Sequence, residues 1–151
     1  MLEEVALILE LIASVAVIGS LIYLAREVSQ NTEMMRVGAS QSWTDMNFDL
    51  SGPAALDREV GELWVKGESE FESLDEVDQV RLIMYEWRAI EAWHHLFEMH
   101  QRGILPKSQW EKLRWIVKNI GKRQAVRASW EKFRGGYEPA YQDFIDKHLG
   151  S

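Results

Sequence analysis

Residues Val5 to Ala25, VALILELIASVAVIGSLIYLA, are 21 consecutive and almost wholly apolar positions near the head of a 151-residue chain. A helix rises about 1.5 Å per residue, so this run spans roughly 30 Å, the hydrocarbon thickness of a bilayer. Twelve of its residues are Val, Leu or Ile. Together they favour insertion by roughly 4–7 kcal/mol, against at most about 3 for the single acid, Glu10. A surface helix of a soluble bundle keeps a polar face, and this run has none. A cleaved export signal opens with positive charge, whereas this chain opens MLEE. Glu10 also interrupts the apolar stretch ahead of the small-x-small triplet Ser14-Val15-Ala16. The expectation is an uncleaved transmembrane anchor over residues 1–25.

Orientation follows from the flanks. No Lys or Arg precedes the span, while Arg26 and Arg36 follow it. The positive-inside bias then puts the N-terminus outside and the C-terminal part in the cytoplasm, as a single-pass protein of the cell inner membrane in contact with its lipids. The chain has no cysteine, which fits a reducing compartment and equally an exported domain without disulfides. Within the span, Glu10, Ser14, Val17 and Leu21 share one helical face, with Ala13, Ala16 and Ser20 beside it. Ionisable residues in lipid usually face protein, and small residues let a second helix approach closely. Glu10, Ala13, Ser14, Val17, Ser20 and Leu21 are the candidate helix–helix interface. Glu10 reaching out to the membrane interface, or being protonated, is the competing account.

The rest is enough for one small domain. It shows helical periodicity and no strand-like alternation. The anchor runs on as a helical extension over 26–52, with Met35, Ala39, Trp43, Met46 and Leu50 as its stripe, and Gly52-Pro53 ends it. A bundle over 53–151 follows. Its first helix turns Leu56, Val60 and Leu63/Trp64 inward and stops at Gly67. Ser73-Leu-Asp-Glu76 reads as a capping box opening the longest soluble helix, with Val80, Ile83, Trp87, Ile90, His94 and Phe97 inward. Further helices are expected from Pro106 to Gly121, around Val126–Phe133 and after Pro139. The fold class is all-α: an N-terminal transmembrane helix continuing into a small cytoplasmic helical bundle. The chain has seven tryptophans, of which Trp43, Trp64, Trp87, Trp110 and Trp130 fall on or beside apolar stripes, as core residues do.

Three stretches carry a resemblance: LIYLAREVSQNT (Leu21 to Thr32), RAIEAWHHLFEMHQRGILPKSQWEKLRWIV (Arg88 to Val117) and GKRQAVRASWEKFRGGYEPAYQDFIDKHL (Gly121 to Leu149). In that order they resemble a family of uncharacterised bacterial single-span membrane proteins, with an anchor, a helical linker and a Trp-rich bundle. The resemblance implies a membrane-tethered helical domain and transfers no catalytic residue.

Chemistry-bearing patterns are sparse. Glu91-Ala-Trp-His94, with His95 and Glu98, puts a carboxylate and an imidazole on one helical face, as di-iron bundles do. Such sites need a second Glu-x-x-His, and none is present. A charged stripe of Arg81, Arg88, Glu91, His95, Glu98 and Arg102, with pairs such as Arg88–Glu91 and Glu91–His95, is the simpler account, with His94 a hydrogen-bonded core histidine. No phosphate loop, nucleophile elbow or dinucleotide fingerprint occurs. No catalytic, metal, cofactor or small-molecule site is assigned.

Charge is more telling. Nine acids face two bases from Asp57 to Asp78, and ten bases face two acids from Arg102 to Arg134, inside a chain of net charge −7. The basic surface candidates are Lys107, Lys112, Arg114, Lys118, Lys122, Arg123 and Arg127. They suit an anionic leaflet or an acidic partner, or solvate the surface. Nucleic acid is not expected, since the tryptophans among these bases sit at core spacing and the whole chain is acidic. The expected function is that of a non-enzymatic interaction or scaffold protein, a homo-oligomer or an accessory subunit of a larger membrane assembly. The alternatives are a metal- or cofactor-binding redox protein using Glu91, His94 and His95, and an anionic-lipid-binding module over 102–134.

Overall fold

The structure is a computed structural model and describes residues 1–150. Every regular element among them is helical. In chain order these are α1 (Leu2–Leu56), α2 (Arg58–Ser69), α3 (Glu76–Gln101), α4 (Lys107–Ile120), α5 (Gln124–Phe133) and α6 (Pro139–Leu149), with 3-10 turns at Phe71–Ser73 and Arg134–Gly136. The chain divides into two compact units, Met1–Gly38 and Ala39–Ser151, so the division falls inside the expected extension.

The first unit is helix alone. Its apolar run is long enough to cross a membrane, and none of that run is buried within the chain. The hydroxyls of Ser14 and Ser20 donate to the carbonyls of Glu10 and Ala16 on their own helix, at 2.8 and 2.9 Å. That satisfies them in an apolar medium without a second helix.

The second unit begins with the last third of α1. Helix α3 is its centre, packed against α5, α4 and α2, while α4 also packs on α6. Ile90, Leu113, Val117, Val126, Tyr141 and Ile145 are each at most 1% exposed. Trp43, Trp93 and Trp130 complete that core. A second cluster of Leu63, Phe71, Leu82 and Ala125 joins α2 to α3 and α5. The acidic α2 and the basic α5 therefore adjoin within one chain.

Several local expectations are corrected. Helix α1 does not end at Gly52-Pro53 but runs through Pro53 to Leu56. Proline removes the bond to the carbonyl four residues earlier. Here that carbonyl, Asp49 O, accepts from Arg88 Nη2 at 3.4 Å, and the next one, Leu50 O, accepts from the Tyr85 hydroxyl. The break comes instead at Asp57, whose carboxylate accepts from the amides of Glu59 and Val60 and caps α2. Leu56, expected inward, is 90% exposed because it sits at this junction. The capping box also fails. Ser73 donates back to Glu70 O, and Asp75 caps α3 through the amide of Asp78.

In α3 the buried line is Leu82, Glu86, Ile90, Trp93 and Phe97. Val80 is exposed, and Trp87 and His94 are half-buried. The inward face is rotated because α3 meets three helices and because its core line includes an acid. Met35, at the head of the expected α1 stripe, is exposed, whereas Ala39 and Trp43 are buried.

Candidate functional site

Glu86 and Arg123 are the most deeply buried ionisable pair, at 2% and 4% exposure. Glu86 enters from α3 and Arg123 from the turn that starts α5. Arg123 Nε donates to Glu86 Oε1 at 3.2 Å. Arg123 Nη2 donates to the carbonyl of Trp64, and the guanidinium lies 3.6 Å over the Trp64 ring. Burial pushes the Glu86 carboxyl up, and the Arg123 charge and hydrogen bond pull it partly back. Arg123 is thus not the surface base expected. Its planar fork satisfies a carboxylate and a carbonyl while stacking on an indole, so it bridges α2, α3 and α5.

Above this pair opens a groove of about 1160 Å³ between the end of α1, α2, α3 and α4. Trp64, Ala89, Trp93, Trp115, Ile116 and Ile120 give it an apolar lining, Glu86 and Tyr85 lie along it, and Arg58, Lys66 and Lys112 stand among its charged residues. Its wall is built by close approach: a Cβ on Gly61 would come within 2.8 Å of Ala54 O. Sequence reasoning missed Glu86, the anchor of this site. The available signal was an acid four residues from both Leu82 and Ile90, alone on an apolar line.

The other basic candidates, Lys107, Lys112, Arg114, Lys118, Lys122 and Arg127, are exposed. Arg114 pairs with Glu111 at 3.2 Å, Arg127 donates to Leu149 O at 3.2 Å, and Lys112 lies 5.4 Å over the Trp43 ring. Among these α4 bases Trp115 is 62% exposed. In the first unit, Glu10, Ala13, Ser14, Val17, Ser20 and Leu21 are all exposed along α1.

Glu91, His94 and His95 are not gathered into one site. Glu91 accepts from the Tyr137 hydroxyl, which itself accepts from Trp87 Nε1 at 3.1 Å. Burial and this contact with Glu91 push the Tyr137 phenol well above its ordinary range. His94 Nε2 lies 2.9 Å from the Glu138 carboxylate, and its ring packs on Tyr141 with centroids 4.7 Å apart. His95 is exposed. Nor are the Arg88–Glu91 and Glu91–His95 pairs what these residues make: Arg88 turns to α1 and Glu91 to Tyr137. Among the described residues no group of three or more His, Asp or Glu is placed to hold a metal ion. What the second unit offers is an open apolar groove, held by a buried ion pair and bordered by a basic, Trp-bearing helix. No protein-family model, curated protein or solved structure matches this chain.

Proposed function

We propose that this is a membrane-anchored, non-enzymatic interaction protein. One span inserts it in the cell inner membrane with its N-terminus outside, and the helical domain faces the cytoplasm. It assembles with copies of itself or serves as an accessory subunit of a larger membrane assembly. The groove carries this reading. At about 1160 Å³ it exceeds the roughly 300–1,000 Å³ of small-molecule sites. An open groove of this size with an apolar lining suits a helix of another chain laid along it. The resemblance to single-span proteins with a Trp-rich bundle points the same way.

The test is the native mass of the full-length protein, gently extracted from its own membranes, with co-purifying species identified. A discrete homo-oligomer, or a fixed stoichiometry with other subunits, is the expected result. A lone monomer would remove the reading. Replacing Ala89 with Trp, to fill the groove, should shift that mass or strip the companion subunits.

A second reading draws on Trp115. An exposed indole among Lys112, Lys118 and Lys122 suits an anionic lipid surface. It predicts salt-sensitive binding of residues 39–151 to anionic vesicles, weakened by Trp115→Ala. Binding indifferent to ionic strength would count against it.

A further inference from the structure

The face that begins at Glu10 does not stop at the end of the span. Glu10, Ser14, Val17, Leu21, Leu24, Val28, Asn31, Met35 and Gly38 follow one another at alternating steps of four and three, four heptads in all, inside the single helix of the first unit. All nine are exposed in the chain. Inside a bilayer an apolar stripe carries no information, but the polar Glu10 and Ser14 fall on the same line as the apolar Val28 and Met35 beyond it. Apolar residues repeating every 3.5 positions are the signature of a helix that wraps around another like it, and Val17, Leu21, Leu24, Val28 and Met35 keep that register.

We propose that this seam is the interface of a parallel homodimer, formed with a second copy of the chain over residues 10–38. The proposal rests on the interaction reading above and names its partner. Two copies inserted with one orientation have parallel anchors, so each seam residue faces its own counterpart, as a symmetric dimer requires. Charge placement agrees. Arg26, Glu33 and Arg36 stand on the side away from the seam, where Arg36 and Glu33 pair at 3.8 Å. Glu27, on its flank, faces the second copy's Thr32, so no like charges meet over residues 26–38. The one like pair of the seam is Glu10 with its counterpart inside the span, where ionisable residues pair with one another. Ala13, Ser14 and Ser20 allow close approach within the lipid. Val28 in the first core position and Leu24 in the second favour two strands. The seam ends where it should. The next two seam positions are Ser42 and Asp45, in the stretch where α1 buries Ala39 and Trp43 in its own domain.

Because the chain has no cysteine, single-cysteine variants of the full-length protein report proximity directly. In isolated native membranes treated with an oxidising copper complex, Leu24→Cys, Val28→Cys, Asn31→Cys and Met35→Cys should give a disulfide-linked dimer. Arg26→Cys, Ser29→Cys and Glu33→Cys should give several-fold less, since a disulfide needs Cα atoms within about 7 Å. Yield peaking on the Arg26–Glu33 side, yield without periodicity, or no linked dimer would overturn the seam. The native-mass measurement separates the two failures. An oligomer or subunit complex without seam periodicity removes the seam alone, and a lone monomer removes both.

Discussion

At Arg123 one guanidinium meets a carboxylate, a backbone carbonyl and an indole face, and that convergence makes the residue worth more than a surface salt bridge. Removing one partner of a buried pair leaves the other charge unpaired, which costs about 3–5 kcal/mol. Arg123→Ala is therefore expected to lower the urea midpoint of residues 39–151 sharply. The double variant Glu86→Leu with Arg123→Met should recover much of that loss, because no charge is then left buried. An Arg123→Ala midpoint close to wild type would show that Glu86 is not confined as the structure has it.

Asp146 behaves in the opposite electrostatic sense. Its carboxylate accepts from Arg134 at 3.0 Å and from Trp130 Nε1 at 2.7 Å, and these contacts hold the carboxyl below its usual range. A depressed acid stabilises the fold above its unfolded pKa, about 3.8, and loses that contribution as pH falls through the folded value. Asp146→Asn should lower the urea midpoint at pH 7, with the gap to wild type closing below about pH 4. A gap independent of pH would assign the effect to packing instead. The side chain is well exposed, so the gap is modest.

Among the elements, helix ends decide most of the geometry. Gly103 ends α3 with φ +72°, a conformation glycine adopts without penalty. Gly121 ends α4 for another reason: a Cβ there would run into the carbonyl of Val117 on its own helix as well as Leu149 of α6. Gly121→Ala is expected to distort the last turn of α4 and cost about 1–3 kcal/mol in unfolding experiments. An unchanged stability would mean that the end of α4 and Leu149 both yield freely. Helix α1 shows how tertiary contacts override a local signal. Pro53 read by itself ends a helix, yet side chains from α3 take up the carbonyls of Asp49 and Leu50 and the helix continues to Leu56. The sequence pattern around Asp57 could have located the true break, since an acid followed by apolar-periodic residues is an N-cap signal. Pro53, four residues earlier, was the louder one.

Across the molecule, Met1–Gly38 and Ala39–Ser151 are separate compact units, and the core lies wholly in the second. Residues 39–151 are accordingly expected to fold alone, with cooperative urea unfolding and a strong near-ultraviolet tryptophan signal from Trp43, Trp93 and Trp130. A fragment with helical content but no tryptophan signal would mean that the first unit is needed for packing.

The helical class, the apolar run able to cross a membrane, and the stretches of α4, α5 and α6 to within a few residues were legible in the amino-acid sequence. These depend on composition and on periods of 3.6 residues, which are local quantities. Ile90 and Trp130 were legible as core residues for the same reason. The tertiary structure alone decided that Glu86 and Arg123 are a buried pair, that Glu91 and His94 serve Tyr137 and Glu138, and that a groove opens beside Trp64 and Trp115. Each of these joins residues 30 or more positions apart. Periodicity assigns a residue to a face, but only the packing of several helices says what that face meets. Charged residues are read as solvated until such packing encloses them.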